Sequence, residues 1–270
     1  MGRQGAPLSG ILESALLRSD RLVVCQNIGG MANASVVPPE GAEGAEGGWF
    51  AYDTGPGNVL IDCAVRTLSD GREQCDTDGR RALAGADSID EDYVQEWLEQ
   101  CDYLHRRPPK TTGREVFSES MGQGIVSDLR ARGLSDDAIV ATVTRLTALS
   151  IIRSLQSHVE STHGPIADLL VCGGGARNPV LMAELSQAFP CARVRTLDEA
   201  RVPAEAKEGV LFALLGYLCV GGRKARVSAL ESGPEVVLGK ITPGDNFTSL
   251  MRRALSEEDA EVLGRVVLEQ

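Results

Sequence analysis

The chain has 270 residues, enough for one large domain or two small ones and for a substantial buried core. Hydrophobic residues make up 43% and charged residues 24%, an ordinary globular balance, while aromatics at 4% argue against a surface that stacks bases or sugars. Acidic residues outnumber basic ones by 38 to 27, and the net charge of −11 disfavours binding to nucleic acid or an anionic membrane unless a basic patch is hidden.

Residues 11–17 read as a helix with no strand before it. Residues 21–37, RLVVCQNIGGMANASVV, are two β-branched runs around Gly29-Gly30, a hairpin signal. Residues 38–48 form a Gly/Glu/Pro loop, residues 48–52 a short strand and residues 53–58, DTGPGN, a turn. A helix over 59–68 follows, with Asn58 placed to cap it. Residues 70–110 are polar with helical patches around 89–104, and 111–117 is a compact loop. The strongest helix covers 135–159, with Ser135 as its cap and Asp136 and Asp137 at its positive end. Residues 166–172 predict a buried strand that runs into Gly173, Gly174 and Gly175. A helix then extends to Phe189, with Asn178 as N-cap and Pro179 in the first helical position. Residues 192–197 predict a strand, 204–220 a long buried helix, 221–246 a loop-rich stretch and 247–270 a charged amphipathic helix. This order of elements predicts an α/β layer structure without repeats.

Seven cysteines, at 25, 63, 75, 101, 172, 191 and 219, include no CxxC, and three isolated histidines add no metal case. They read as reduced thiols filling core and surface, not as a disulfide frame or zinc site. The apolar stretch 210–220 is too short to cross a bilayer, and no signal peptide is visible, so the expected location is cytoplasmic.

Three glycine turns carry the chemistry. In NIGGMAN at 27–33, Gly29 and Gly30 let backbone N–H groups approach an anion between Asn27 and Asn33; a plain tight hairpin is the alternative. In DTGPGN, Asp53 sits at a strand end and suits proton abstraction from a hydroxyl, unless it only caps its own turn; Thr54, Gly57 and Asn58 share the segment. In VCGGGARNPV at 171–180, a strand leads through Gly173, Gly174 and Gly175 to Arg177 and a helix. That can bring backbone close to an adenosine or phosphate, or simply pack. It is neither GxGxxG nor a Walker A loop. Together the three supply what phosphoryl transfer to an alcohol needs: position, charge neutralisation and one base.

These motifs, with TGRE at 112–115, QGAPL at 4–8, Lys207-Glu208 before an apolar helix and VLG at 237–239, occur in the order found in anhydro-N-acetylmuramic acid kinases, and the chain resembles that family over roughly 2–245. The resemblance implies an actin/hexokinase-like (ASKHA) ATPase lobe with a ribonuclease H-like core. It divides the chain into a C-terminal kinase lobe at 1–246 and a charged helical tail at 247–270. The activity it implies is ATP-dependent phosphorylation of 1,6-anhydro-N-acetylmuramic acid, with water opening the ring, to N-acetylmuramate 6-phosphate in peptidoglycan recycling. On this reading Asp53 is the general base and Glu208, Thr54 and Asn58 line the sugar. Asn27, Gly29, Gly30, Asn33, Gly57, Gly173, Gly174, Gly175 and Arg177 hold ATP, whose phosphates Mg²⁺ bridges, with no protein metal ligands assigned. The family's glycine/serine-rich first phosphate loop has no counterpart here. The resemblance therefore leads us to expect a chain that starts at the lobe boundary, lacks roughly the N-terminal third of a full kinase and is weak or inactive alone. The alternatives are a nucleotide- or sugar-binding remnant and one half of a split kinase. A homodimer or a complementing N-terminal lobe are the partners this implies.

Overall fold

A computed structural model describes residues 9–42, 48–200, 206–225 and 236–256. QGAPL at 4–8, residues 43–47 of the loop at 38–48 and residues 257–270 of the expected tail lie outside the described residues. The elements run α1 (Ser9–Leu17), β1 (Val23–Ile28), β2 (Met31–Val37), β3 (Phe50–Pro56), α2 (Asn58–Leu68), α3 (Arg80–Ala84), α4 (Glu91–Gln100), α5 (Asp102–His105), α6 (Glu119–Ala131) and α7 (Asp136–Leu155). A π turn (Gln156–Glu160) extends α7 into α8 (Ser161–His163), followed by β4 (Asp168–Cys172), α9 (Pro179–Ala188), β5 (Arg193–Thr196), α10 (Lys207–Val220) and α11 (Phe247–Ser256).

The five strands form one mixed sheet in the order β3-β2-β1-β4-β5. β1, β2 and β3 pair antiparallel, and β4 and β5 run parallel to β1. This strand order and mix of directions is ribonuclease H-like, the core that the resemblance implies. Alternation along β1 sends Val24 and Ile28 to the larger core, beside α2, α7 and α9, while Val23 and Cys25 face a smaller cluster with Leu16 and Leu17 of α1.

Helix α7 is the central strut. Ser135 caps it by accepting a hydrogen bond from the Ala138 amide, as its sequence predicts. Ile139, Val143, Leu146, Ile151 and Leu155 are all buried, each burial worth about 1.5–3 kcal/mol. The helical stretch over residues 136–163 is long and apolar enough to cross a membrane, yet 83% of its apolar window is buried inside the protein, as a core helix requires.

Two expectations need correction, and one helix lies where none was expected. DTGPGN is not wholly a turn: β3 continues to Pro56, because β2 pairs with it as far as Met31↔Pro56. The pairing steps from Asn33↔Asp53 to Ala32↔Gly55, which leaves Thr54 as the extra residue of a β-bulge. Helix α10 is not a buried helix: only Leu211 and Leu218 are buried, and Phe212 is 65% exposed. Its apolar composition is real, but among the described residues it packs chiefly on α1. Helix α6 went unanticipated; Ile125, Val126 and Leu129 bury one face, while Gly122 and Gly124 mask the periodicity.

Candidate active site

The three glycine bends come together. The Gly57 and Val59 amides donate to the Gly30 carbonyl at 3.0 and 3.1 Å, and the Asn58 amide donates to the Gly29 carbonyl at 2.7 Å. Hairpin carbonyls thus satisfy the first amides of α2, whose N-cap is Gly57 rather than Asn58. Asn58 is the first helical residue instead, and its side-chain amide donates to the Ile28 carbonyl at 3.1 Å. The contact leaves no room for a side chain, since a Cβ on Gly57 would lie 2.3 Å from the Gly29 oxygen.

The third bend closes on the same hairpin. Gly173 has φ +81°, and its Cβ would lie 2.6 Å from Asn27 Oδ1 and 2.7 Å from the Ile28 oxygen. A Cβ on Gly175 would meet Ile28 Cγ2 at 2.3 Å, and one on Gly174 would meet Asn58 Nδ2 at 3.3 Å. Gly57 and Gly175 are therefore buried packing glycines, whereas Gly30, Gly173, Gly174 and Arg177 are exposed and Gly29 is half-buried. Nothing lies within 4 Å of where a Gly30 Cβ would stand. Because the hairpin already satisfies α2's first amides, an anion at this place would be held by the bends themselves.

Asn27 faces Asn33 across β1 and β2, and Asn33 faces Asp53 across β2 and β3. Cross-strand partners share a sheet face, so these three side chains form one polar row beside the bends. Thr54 is not part of it. Its hydroxyl is fully buried and accepts a hydrogen bond from Gln26 Nε2 at 3.3 Å. The same amide reaches the Asn33 carbonyl at 3.0 Å, so buried Gln26 ties the bulge to the hairpin.

Asp53 keeps 8% exposure. Its Oδ2 accepts the Thr112 amide at 2.8 Å, its own amide donates to the Lys110 carbonyl at 3.1 Å, and its carbonyl accepts the Tyr103 hydroxyl at 2.8 Å. Burial pushes its carboxyl above the usual range. The Thr112 amide and Thr111 hydroxyl pull it back, the Glu115 charge pushes it further up and Lys110 draws it down. A buried carboxylate that keeps a little exposure, is held from one side and has its pKa raised has the form of a general base. Lys110 is buried, which brings its ammonium down to about 8. It donates to the Leu104 carbonyl at 3.3 Å and sits 4.9 Å above the Tyr103 ring.

Glu208 is exposed in the first turn of α10, whereas the Asp53 hydrogen bonds run to Tyr103, Lys110 and Thr112. Among the described residues, Glu115 is a carboxylate whose charge reaches Asp53. The TGRE motif marked this segment, but neither its role nor those of Tyr103 and Lys110 shows in spacing alone. Among the described residues there is no group of three or more His, Cys, Asp or Glu that could hold a metal ion.

The family model for anhydro-N-acetylmuramic acid kinase matches residues 1–244. The protein of that name from Rippkaea orientalis is 38% identical over 217 residues, covering 80% of this chain and 55% of the relative. Its counterpart from Streptomyces coelicolor is 37% identical over 246 residues, covering 90% of this chain and 58% of the relative. The chain thus spans little more than half the length of these relatives. Among solved structures, component A of the Acidaminococcus fermentans (R)-2-hydroxyglutaryl-CoA dehydratase superposes with a TM-score of 0.43 at 16% identity, covering 77% of this chain and 66% of that one.

Proposed function

Since the chain belongs to the anhydro-N-acetylmuramic acid kinase family, we propose that it carries the ATP-holding bends and the base of a sugar kinase acting on 1,6-anhydro-N-acetylmuramic acid. The observation that carries this reading is the packing of three glycine bends against one another, beside a polar row that ends in Asp53.

The fit of a nucleotide rests on the cradle. The outer faces of Gly30, Gly173 and Gly174 are exposed backbone, so phosphate oxygens can approach amides without meeting a Cβ, and exposed Arg177 adds positive charge beside them. Asn27 and Asn33, both half-buried, offer amide side chains along the same row. Mg²⁺, carried on the phosphates, would neutralise charge developing on the transferred group.

Asp53 would take a proton from the water that opens the anhydro ring, leaving the freed sugar oxygen to accept the phosphoryl group. The Thr112 amide and Thr111 hydroxyl hold the carboxylate in one orientation, and Tyr103 and Lys110 fix its backbone. Asn58 spends one side-chain N–H on the Ile28 carbonyl, and the Thr54 hydroxyl is buried against Gln26. The sugar side of the proposal therefore rests on Asp53, the 111–115 loop and exposed Glu208. The other wall would come from a complementing lobe or a second copy, and the setting would be cytoplasmic peptidoglycan recycling.

Incubating the chain with Mg²⁺, ATP and the anhydro-sugar tests this, with N-acetylmuramate 6-phosphate detected by mass spectrometry. Asp53→Asn is expected to leave nucleotide binding intact and remove turnover; turnover that survives overturns the base assignment. Nucleotide binding without turnover by the wild-type chain would favour the second reading, a binding module or one half of a split kinase.

A further inference from the structure

Behind the glycine bends, on the α1 side of the sheet, lies a polar cluster that the proposed chemistry does not use. Cys25 on β1 and Cys172 on β4 are 1% and 3% exposed, and their sulfurs are 4.0 Å apart. In the parallel register Asn27 faces Cys172 and Cys25 faces Leu170, so the two thiols are diagonal neighbours on one face. Lys207, from the first turn of α10, brings its Nζ to 3.4 Å from the Cys172 sulfur and 4.0 Å from that of Cys25. The same ammonium pairs with Glu13 of α1, whose second oxygen is buried without a partner. A core that needed only filler would not gather a lysine and a glutamate around two thiols, because burying charge is costly.

The two thiols are unequal. The hydrogen bond between them lowers Cys172 and raises Cys25; Lys207 adds to the first effect and burial to the second. A thiolate beside an ammonium, with a protonated thiol next to it, is an attacking and a resolving cysteine.

We propose that Cys25 and Cys172 form an oxidation site that a small hydroperoxide closes into a disulfide, Cys172 attacking and Cys25 resolving. The Cys172 thiol gives its proton to solvent and its sulfur attacks one oxygen of hydrogen peroxide. The O–O bond breaks, and the departing hydroxide takes a proton from solvent to become water. The Cys25 sulfur then attacks the resulting sulfenic sulfur, the S–O bond breaks, and hydroxide leaves with the Cys25 proton as a second water. Two electrons pass from the thiols to the peroxide.

Closure shortens the sulfur separation from 4.0 Å to about 2.05 Å. It also removes the thiol hydrogen that Cys172 directs at Asn27 Oδ1, 3.7 Å away. Cys172 is the last residue of β4 before Gly173, and Asn27 stands two residues before Gly29, so oxidation loosens the two bends.

The test treats the full chain with hydrogen peroxide at neutral pH, caps free thiols and maps linked peptides by mass spectrometry, with amide hydrogen exchange as a second readout. Expected are a Cys25–Cys172 peptide reversed by dithiothreitol, faster exchange over residues 28–31 and 173–177, and linkage slowed about tenfold by Lys207→Met but within about threefold of wild type in Lys207→Arg. If Lys207→Met strands Glu13 and fails to fold, the Glu13→Gln/Lys207→Met double variant removes both charges and is expected to show the same slowing. Oxidation confined to exposed Cys75 and Cys191, unchanged exchange in both bends, or a rate that ignores the loss of Lys207 would overturn the proposal.

Discussion

Gly57→Ala probes the junction of the bends most sharply. The added methyl would sit 2.3 Å from the Gly29 oxygen and 3.1 Å from both the Gly30 oxygen and the Met31 carbonyl carbon. All three neighbours are backbone, so the hairpin must retreat by roughly 1 Å to restore ordinary contact distances. Such overpacking costs about 1–3 kcal/mol. The retreat also lengthens the hydrogen bonds from Gly57, Asn58 and Val59, each worth about 0.5–1.5 kcal/mol net. If two of the three are lost, the total is about 2–6 kcal/mol, a fall in melting temperature of about 5–20 °C for a chain of this size. Gly30→Ala is the control. Its methyl meets nothing within 4 Å, and its φ lies outside the left-handed region, so its stability stays within about 1 kcal/mol of wild type. Thermal unfolding followed by circular dichroism separates the two. A Gly57→Ala protein melting within about 1 °C of wild type would refute the claim that the bends touch.

Two further outcomes follow from the titrating groups around Asp53. Burial raises the Asp53 carboxyl, so in the window above the ordinary carboxylate range the native state holds more protons than the unfolded chain, and stability falls as pH rises. Asp53→Asn is therefore more stable than wild type at pH 8, by a margin that shrinks as pH falls into the carboxylate range; a margin that stays constant in denaturant titrations contradicts this. Lys110 is lowered to about 8 from an ordinary 10.5, so the unfolded chain holds more protons between those values and stability rises with pH there. Lys110→Met loses that rise, measured as the difference between the two proteins' stability–pH curves; parallel curves would sink the assignment.

Much of this site is legible in the residues because glycine turns and caps are local signals. Gly29-Gly30 between β-branched runs, Asn178-Pro179 before a helix and Ser135 before Asp136 specify their own backbone, and each is found in the expected role. Asn58 misleads because cap chemistry looks the same whether a side chain or a neighbouring hairpin satisfies the amides. Asp53 and Thr54 read as turn residues because Gly55, Pro56 and Gly57 follow them; pairing with β2 holds them in a strand and a bulge turns Thr54 inward, which only long-range register decides. Helix α10 misleads for the opposite reason. Its composition says buried, but what covers an apolar helix is not written in its own residues. Gathering Glu13, Cys25, Cys172 and Lys207 takes four elements, so spacing gives no sign of it.

Calorimetric titration of the chain with Mg²⁺ and a non-hydrolysable ATP analogue, beside Gly30→Leu, tests the central claim most directly. A Cβ at Gly30 has open space around it and would stand where phosphate oxygens approach, so the variant is expected to melt within about 5 °C of wild type. Losing one or two charge-assisted contacts, each worth about 1.5–3 kcal/mol, weakens binding at least about tenfold. Saturable binding by wild type and its loss in Gly30→Leu is the predicted result; a wild-type chain that takes up no nucleotide at millimolar concentration, or a variant that binds as tightly as wild type, would contradict it.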